Sequence, residues 1–203
     1  MKKSFIILFL GSMACVKVIA TGSTVVGKTT RLNREMVQVK ADLRLRNQLI
    51  KAIDDGKKEF LQDNNLWEFG IYEISIMEGR VLLTGVVRND STKNYIIKKI
   101  AENIKVRELL DELKVGNTKI SRTKDFFIKK NLEAKLLFKY RIRSLNYEVS
   151  IMNGNAYLIG IAQDRTELEL LANIASITKG VRKVISYVIT VDSGKKIKID
   201  FTN

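Results

Sequence analysis

One sequence pattern, which indicates the fold, occurs twice: as YEISIMEGRVLLTG at residues 72–85 and as YEVSIMNGNAYLIG at residues 147–160. The two copies start 75 positions apart and share eight of their fourteen residues. Apolar and polar side chains alternate through the first half of each copy, which is the period of a β-strand. Gly79 and Gly154 then supply the positive φ angle that a tight turn needs. Each copy therefore predicts a β-hairpin.

The same pattern surrounds both hairpins and defines a repeated module. A helical pattern precedes each hairpin, and a second helix and a strand-like run follow it. Asn89-Asp90-Ser91 and Asp164 can cap the two second helices. The order helix, strand, strand, helix, strand predicts an α+β fold, with helices on one face of a three-stranded sheet in each module. The predicted first helices cover residues 39–55 and 123–139, and the predicted modules cover residues 39–115 and 121–192.

Two further features of the predicted sheets bear on packing. Gly85 and Gly160 fall inside the return strands, where a glycine marks a bulge or a close approach of two backbones. A sheet of only three strands has exposed edges. We therefore expect contacts between the two modules.

The charge of the chain points to an anionic partner. The formal net charge is +14 and the sequence pI is about 9.8. Nucleic acid and acidic membrane surfaces are the two obvious partner classes. A genome-wide bias toward lysine, isoleucine and asparagine would account for the same charge, so charge alone does not decide.

The absence of reactive residue types argues against catalysis. The sequence contains no histidine, which is the commonest general base and metal ligand, and a single cysteine. One cysteine can form neither an internal disulfide nor a zinc cluster. No phosphate-binding glycine loop or nucleophile elbow occurs in usable context. The chain is therefore predicted not to be an enzyme and to need neither a cofactor nor a metal.

The amino terminus reads as an export signal. Lys2 and Lys3 precede an apolar run from Phe5 to Leu10, which is too short to span a bilayer. Cys15 follows Ala14 in a segment that resembles a bacterial lipobox, although Ser12 stands where leucine is usual. Residues 1–14 are therefore predicted to be a lipoprotein signal peptide and Cys15 to be lipidated. Cleavage after Ala20, or a passive Cys15 within the signal, are the alternatives.

The segments outside the modules complete the layout. Residues 15–38 lack clear periodicity and are predicted to be a lipidated tether. Residues 193–203 are predicted to be a basic tail. Without Lys2 and Lys3 the chain keeps a net charge of about +12.

The repeated segments resemble the BON domain family. The resemblance rests on GRVLLTG at residues 79–85 and on the longer runs at residues 154–176 and 180–188, and it spans about residues 39–192. With the signal and Cys15, the layout is similar to the outer-membrane lipoproteins with two BON domains. That resemblance implies a lipid-anchored protein on the periplasmic face of the outer membrane, which binds anionic phospholipid through its second module and supports outer-membrane integrity.

The predicted helix at residues 123–139 is apolar on more than one side. Ile128, Leu132 and Leu136 share the stripe that would seat the helix on its sheet. Other apolar side chains lie on a flanking or opposite stripe, with basic side chains between them, a composition typical of interfacial helices on anionic lipid. These side chains are Phe126, Phe127, Ala134, Leu137 and Phe138, interleaved with Lys124, Lys129, Lys130 and Lys135. In the first module, Val39, Leu43, Ile50 and Ile53 share one side of the corresponding helix, and no such excess is predicted.

The predicted phospholipid-binding residues follow from this helix and from the resemblance. In the family the aromatic anchor is a tryptophan, and its position falls on Phe127, which keeps the apolar body but loses the N–H group. A second apolar contact falls on Leu137. The predicted site comprises Phe127, Leu137, Lys124, Lys130 and Phe126. The alternative is that these side chains pack against the first module.

Two rival functions remain open. One is a soluble periplasmic stress protein of the OsmY type, without an anchor. The other is a protein-interaction module for an envelope assembly machine, in which the apolar helix docks a partner protein. Nucleic-acid binding fits the charge but not export, and no motif supports it.

Overall fold

The computed structural model describes residues 36–60, 69–117, 120–191 and 199–202. The predicted signal peptide at residues 1–14, Cys15 and the predicted tether up to residue 35 lie outside the described residues. The first module contains two helices and three strands in the predicted order. Its elements are α1 (Met36–Phe60), β1 (Ile71–Met77), β2 (Arg80–Val87), α2 (Asp90–Ala101) and β3 (Glu108–Val115).

The second module repeats this order and adds one strand. A short 3-10 turn at Ser144–Asn146 precedes its first strand. Its elements are α3 (Arg122–Phe138), β4 (Tyr147–Met152), β5 (Asn155–Ala162), α4 (Arg165–Ser176), β6 (Lys183–Thr190) and β7 (Ile199–Thr202). The predicted α+β class with two tandem modules is therefore confirmed.

The two sheets share one topology. In the first module β1 pairs antiparallel with β2, and β2 pairs parallel with β3. In the second module β4, β5 and β6 pair in the same way. The extra strand β7 pairs antiparallel with β6, so the second sheet has four strands in the order β4-β5-β6-β7. Part of the segment predicted as a basic tail therefore extends the sheet.

Both hairpin turns have the predicted geometry. The two central residues of each turn have positive φ, at 51° and 74° for Glu78 and Gly79 and at 50° and 73° for Asn153 and Gly154. Two successive residues with positive φ define a type I′ turn, whose twist matches that of the flanking strands. The residues of each repeated segment therefore favour this type of turn by themselves.

A buried aspartate on the preceding helix holds each turn. One carboxylate, that of Asp42 in α1, accepts hydrogen bonds from the backbone N–H groups of Glu78 at 2.7 Å and Gly79 at 3.0 Å. Asp125 in α3 accepts them from the residues equivalent to these, Asn153 at 2.6 Å and Gly154 at 2.8 Å. Hydrogen bonds to a charged acceptor are about twice as strong as neutral ones. The two aspartates therefore occupy equivalent positions and align α1 with α3.

The glycines inside the return strands allow a close backbone approach, as predicted. A Cβ atom on Gly85 would lie 2.2 Å from the carbonyl oxygen of Ile71, and one on Gly160 would lie 2.4 Å from that of Asn146. Gly85 also pairs across the hairpin with Tyr72, and Gly160 pairs with Tyr147. The first and last residues of the repeated phrase are therefore cross-strand partners.

The second helices begin at the predicted caps. The side chain of Asn89 accepts a hydrogen bond from the backbone N–H of Thr92 at 2.8 Å, and that of Asp164 accepts one from Glu167 at 2.8 Å. Each cap satisfies an N–H group that the first turn of a helix leaves without a partner.

The apolar core is divided into three clusters. One lies between the helices and sheet of the first module, and one occupies the same place in the second. The third joins the two modules and consists of side chains from both sheets: Met77, Leu82, Met152, Tyr157, Ile159 and Ile185. The expected contacts between the modules are confirmed, but they run through sheet faces rather than through strand edges.

Side chains bond the backbone polar groups of one residue on the outer edge of the first sheet. At Leu113 in β3, the backbone N–H donates to the carboxylate of Asp111 at 2.9 Å, and the carbonyl accepts from the Lys93 ammonium at 2.8 Å. An edge strand whose polar groups are already bonded cannot easily pair with another chain. The corresponding edge of the second sheet is covered by β7.

Candidate functional site

The inner face of α3 seats the helix on its sheet as predicted. Leu132 and Leu136 are buried in the core of the second module, and Ile128 packs against that core while partly exposed. The spacing of four residues places these side chains on one stripe. The remaining apolar side chains of α3 must therefore lie elsewhere on the helix.

The outer face of α3 exposes large apolar side chains. Phe126 is 54% exposed, Phe127 65%, Leu137 58% and Phe138 84%. The rings of Phe126 and Phe127 contact each other edge to face, with centroids 5.7 Å apart. We call these four residues the α3 outer face. Phe127 and Leu137 are exposed rather than packed against the first module, which was the alternative interpretation.

The four lysines of α3 divide into two pairs. Lys124 and Lys130 are exposed beside the α3 outer face, and the Lys130 ammonium lies 5.8 Å from the ring centroid of Phe126 and 2.8 Å from the carboxylate of Glu133. The other two make structural contacts: Lys129 pairs with Glu73 in β1, and Lys135 donates to the Thr178 hydroxyl at 3.3 Å. All five predicted site residues are therefore exposed on α3, and the structure brings Phe126 into contact with Phe127 and near Lys130.

The corresponding helix of the first module has a different outer surface. Aligning Asp42 with Asp125 shifts α1 by 83 positions, whereas the hairpins are shifted by 75. At the positions of Phe127, Leu137 and Phe138, the first module then carries charged residues. These are Arg44, Asp54 and Asp55, all of them exposed.

One prediction for α1 is wrong. Leu43 and Ile50 were expected on the core side with Ile53, but they are 48% and 39% exposed. The core stripe consists instead of Leu45, Leu49 and Ile53, at intervals of four residues. Asp42 points inward to hold the hairpin turn, and this fixes the rotation of α1 about its axis. A prediction from the apolar residues alone gives the wrong rotation. The helix α1 therefore also exposes Leu43 and Ile50.

Two ion pairs join the first helix of each module to the sheet of the other module. Lys129 of α3 pairs with Glu73 of β1, and Arg46 of α1 pairs with Glu148 of β4. Glu73 also accepts a hydrogen bond from the Ser150 hydroxyl at 2.9 Å. The two glutamates are equivalent in the repeated phrase, and the two cations are equivalent in the aligned helices. Sequence reasoning did not find this exchange, because no local pattern shows that the modules face each other.

A cleft of about 300 Å³ lies between the modules beside Phe126. Most of its wall is apolar, and its charged groups come from β1 and from the first turns of α3. The lining residues are Ile71, Tyr72, Glu73, Ile120, Arg122, Asp125, Phe126, Lys129, Ile151 and Met152. The cleft is therefore continuous with the α3 outer face through Phe126.

We expect the stability of the protein to fall in alkali because of Tyr72. Burial, assisted by the nearby charge of Asp54, raises the pKa of Tyr72 from its ordinary value of 10.0 to about 12. Between about pH 10 and pH 12 the phenol stays neutral in the folded state but ionises in the unfolded chain. The free energy of unfolding therefore keeps its full value below about pH 10 and declines toward pH 12. The largest loss corresponds to about 2–3 kcal/mol.

The measurement is urea unfolding at several pH values for wild type and Tyr72→Phe. The variant is expected to lose less stability than wild type between about pH 8 and pH 11, since it has no phenol to ionise. The comparison at about pH 8 gives the constant cost of losing the hydroxyl. Parallel pH profiles for the two proteins would contradict the role of Tyr72.

Within the described residues, none of the helices has the length and apolar character needed to cross a bilayer.

Comparison with known proteins identifies related sequences. The family model described as BON domain matches residues 57–117 and 124–193. An "uncharacterized protein in gshII 5'region" from Anaplasma centrale is 31% identical over 142 residues, which is 67% of this chain and 94% of that protein. The "outer membrane lipoprotein DolP" of Haemophilus influenzae is 30% identical over 143 residues, covering 66% of this chain and 72% of that protein.

Among solved structures, similarity is slight. The C-terminal domain of CdsD, described as the structural protein of the type III secretion system of Chlamydia trachomatis, superposes with a TM-score of 0.28 and 15% identity. The match covers 71% of this chain and 65% of the CdsD chain.

Proposed function

Because the chain belongs to the BON domain family and carries two BON domains, we propose that it is a non-catalytic lipoprotein of the cell envelope. In this proposal it is anchored on the periplasmic face of the outer membrane, binds anionic phospholipid through the second BON domain and supports outer-membrane integrity. The named relative from Haemophilus influenzae, an outer membrane lipoprotein, supports the location. The absence of histidine from the whole sequence supports a role without acid–base chemistry.

The α3 outer face is the observation that carries the proposal. Phe127, Leu137 and Phe138 are exposed on the second module, where the first module has charged residues. Burying a side chain of this size is worth about 1.5–3 kcal/mol. Phe126 and Phe127 near one end of α3 and Leu137 and Phe138 at the other give four large exposed apolar side chains on one helix. Apolar exposure of this extent marks a surface that contacts a partner or a membrane.

The surrounding charge favours an anionic membrane as that partner. Lys124 and Lys130 are exposed beside the apolar side chains, and Lys139 and Arg141 are exposed just after the helix. A lysine or arginine near an anionic bilayer contributes about 1 kcal/mol, and the attraction disappears within a Debye length. Aromatic and aliphatic side chains can enter the interface while lysine ammonium groups remain at the headgroups.

The proposed anchor is separate from this surface. Cys15, in the lipobox-like segment, would carry the acyl chains, and residues up to 35 would connect it to α1. An anchored chain stays near the bilayer, so a weak contact through α3 is enough to orient the second module against it.

Vesicle flotation of the full chain carrying Cys15→Ser tests the phospholipid contact without an acyl anchor. We expect flotation with vesicles containing phosphatidylglycerol and little flotation with pure phosphatidylcholine vesicles, because only the anionic surface attracts the lysines. Raising the salt from about 0.1 M to 1 M should weaken binding without abolishing it, since screening acts on charges and not on apolar insertion.

Equal flotation with both vesicle types would contradict the preference for anionic lipid. No flotation with either type, together with specific capture of an envelope protein, would favour the protein-interaction alternative over the proposed function.

A further inference from the structure

We propose that the cleft between the two modules binds the part of one acyl chain nearest the glycerol of an anionic phospholipid, whose phosphate lies against Arg122. This inference rests on the proposed phospholipid binding and goes beyond it. It assigns a site for a single lipid molecule, distinct from the α3 outer face that contacts the bilayer as a surface.

The walls of the cleft suit an aliphatic chain. Ile151 and Met152 are buried, and Ile71 and Ile120 are partly buried beside the cluster that joins the modules. A volume of about 300 Å³ lies at the lower end of the range for small-molecule cavities. The cleft therefore has room for part of one acyl chain and not for a complete lipid.

Among the described residues, one of the charged side chains that line the cleft is a cation without a partner. Asp125 is held by the amides of the hairpin turn, and Glu73 is held by Lys129 and Ser150. Arg122 is exposed, and its guanidinium makes no hydrogen bond or ion pair to any residue that the structure describes. An arginine presents a planar fork of donors that matches a phosphate. The unpaired charge therefore favours an anionic headgroup at the rim.

Phe126 connects this site to the membrane. Its ring lines the cleft and also forms part of the α3 outer face. A lipid lying under α3 in the bilayer can therefore bring the upper part of one chain past Phe126 into the cleft without crossing open water. This continuity distinguishes the cleft from an isolated apolar cavity.

Photolabelling of the full chain on membranes tests the site. The probe is a phosphatidylglycerol with a diazirine near the carboxyl end of one acyl chain, mixed into phosphatidylcholine vesicles, and mass spectrometry maps the labelled residues. We expect labels on the cleft wall at Ile120, Ile151 or Met152, in addition to labels on Phe127 and Leu137.

A substitution that fills the cleft provides the control. Ile71→Trp is expected to reduce labelling of the wall about tenfold, the change expected when roughly two methylene groups lose a buried site. Labels on the α3 outer face should remain, which also shows that the variant is folded. The matched variant Ile104→Trp, at an exposed loop position outside the cleft lining, should leave both sets of labels unchanged.

The outcomes separate the two proposals. Labels confined to the α3 outer face would overturn the acyl-chain site and leave phospholipid binding intact. Labels on neither surface would overturn both. Wall labels that persist in Ile71→Trp at the wild-type level would also overturn the site, since the label would then reach those residues by another route.

Discussion

A chain carrying Phe127→Glu and Leu137→Glu is expected to lose at least about a hundredfold of its affinity for phosphatidylglycerol vesicles. Two large apolar side chains would no longer enter the interface, at about 1.5–3 kcal/mol each. Two carboxylates would instead face an anionic surface, at about 1 kcal/mol each. Both residues are exposed in the structure, so the substitutions remove no core contact. Vesicle flotation in the Cys15→Ser background measures the effect.

The first module provides a matched control for this variant. Leu43→Glu with Ile50→Glu places the same two charges on partly exposed aliphatic positions of α1. This control should bind vesicles nearly as well as the parent, because α1 carries charged residues where α3 carries Phe127, Leu137 and Phe138. An equal loss in both variants would show that net charge, rather than the α3 outer face, determines binding. Unchanged binding of the first variant would reject the α3 outer face altogether.

Gly85→Ala is expected to destabilise the protein by about 3–5 kcal/mol, the range of large packing and strain effects. Gly85 has a φ of 146°, which L-residues rarely adopt. A Cβ atom there would also lie 2.2 Å from a backbone oxygen of Ile71 and 2.7 Å from the Cα of Tyr72. Backbone atoms of a paired strand cannot move aside without breaking the hairpin. Urea unfolding followed by circular dichroism gives the change in free energy.

Gly116→Ala separates backbone strain from collision. Gly116 has a nearly identical φ of 149°, but a Cβ atom there would have nothing within 4 Å. Its substitution should cost only the conformational strain, of order 1–3 kcal/mol. If Gly116→Ala proves as damaging as Gly85→Ala, the close approach of the two strands is not what requires glycine at position 85.

The elements of this fold could be predicted because their causes are local. Alternation of side chains defines the strands, two adjacent turn residues define the hairpin, and Asn89 or Asp164 begins a helix. That Phe127 and Leu137 lie away from the core stripe also followed from the sequence, since an α-helix with apolar residues all round cannot bury every one of them against a single sheet. That they are exposed rather than packed against the first module did not. Each of these features depends on a few neighbouring residues.

The arrangement of the modules could not be predicted because its causes are distant in sequence. Met77 and Met152 are the last residues of their strands before each turn, yet both belong to the cluster that joins the two sheets. Leu43 and Ile50 were placed on the wrong side of α1, because the inward position of Asp42 depends on a hairpin more than 30 residues later. The cleft beside Phe126 exists only where both modules meet.

The exchange of ion pairs, Arg46 with Glu148 and Lys129 with Glu73, gives the two modules the relation of subunits in a twofold dimer. Each presents the same surface to the other, and such an isologous contact is complete with two partners. A third module would find no vacant surface of this kind. Because the two modules are joined in one chain, their sequences need not be identical. The outer surface of one module can therefore change without a change in the other. The two modules therefore share nearly the same inner contact surface but differ outside, and among the described side chains the exposed phenylalanines, Phe126, Phe127 and Phe138, lie on the second module.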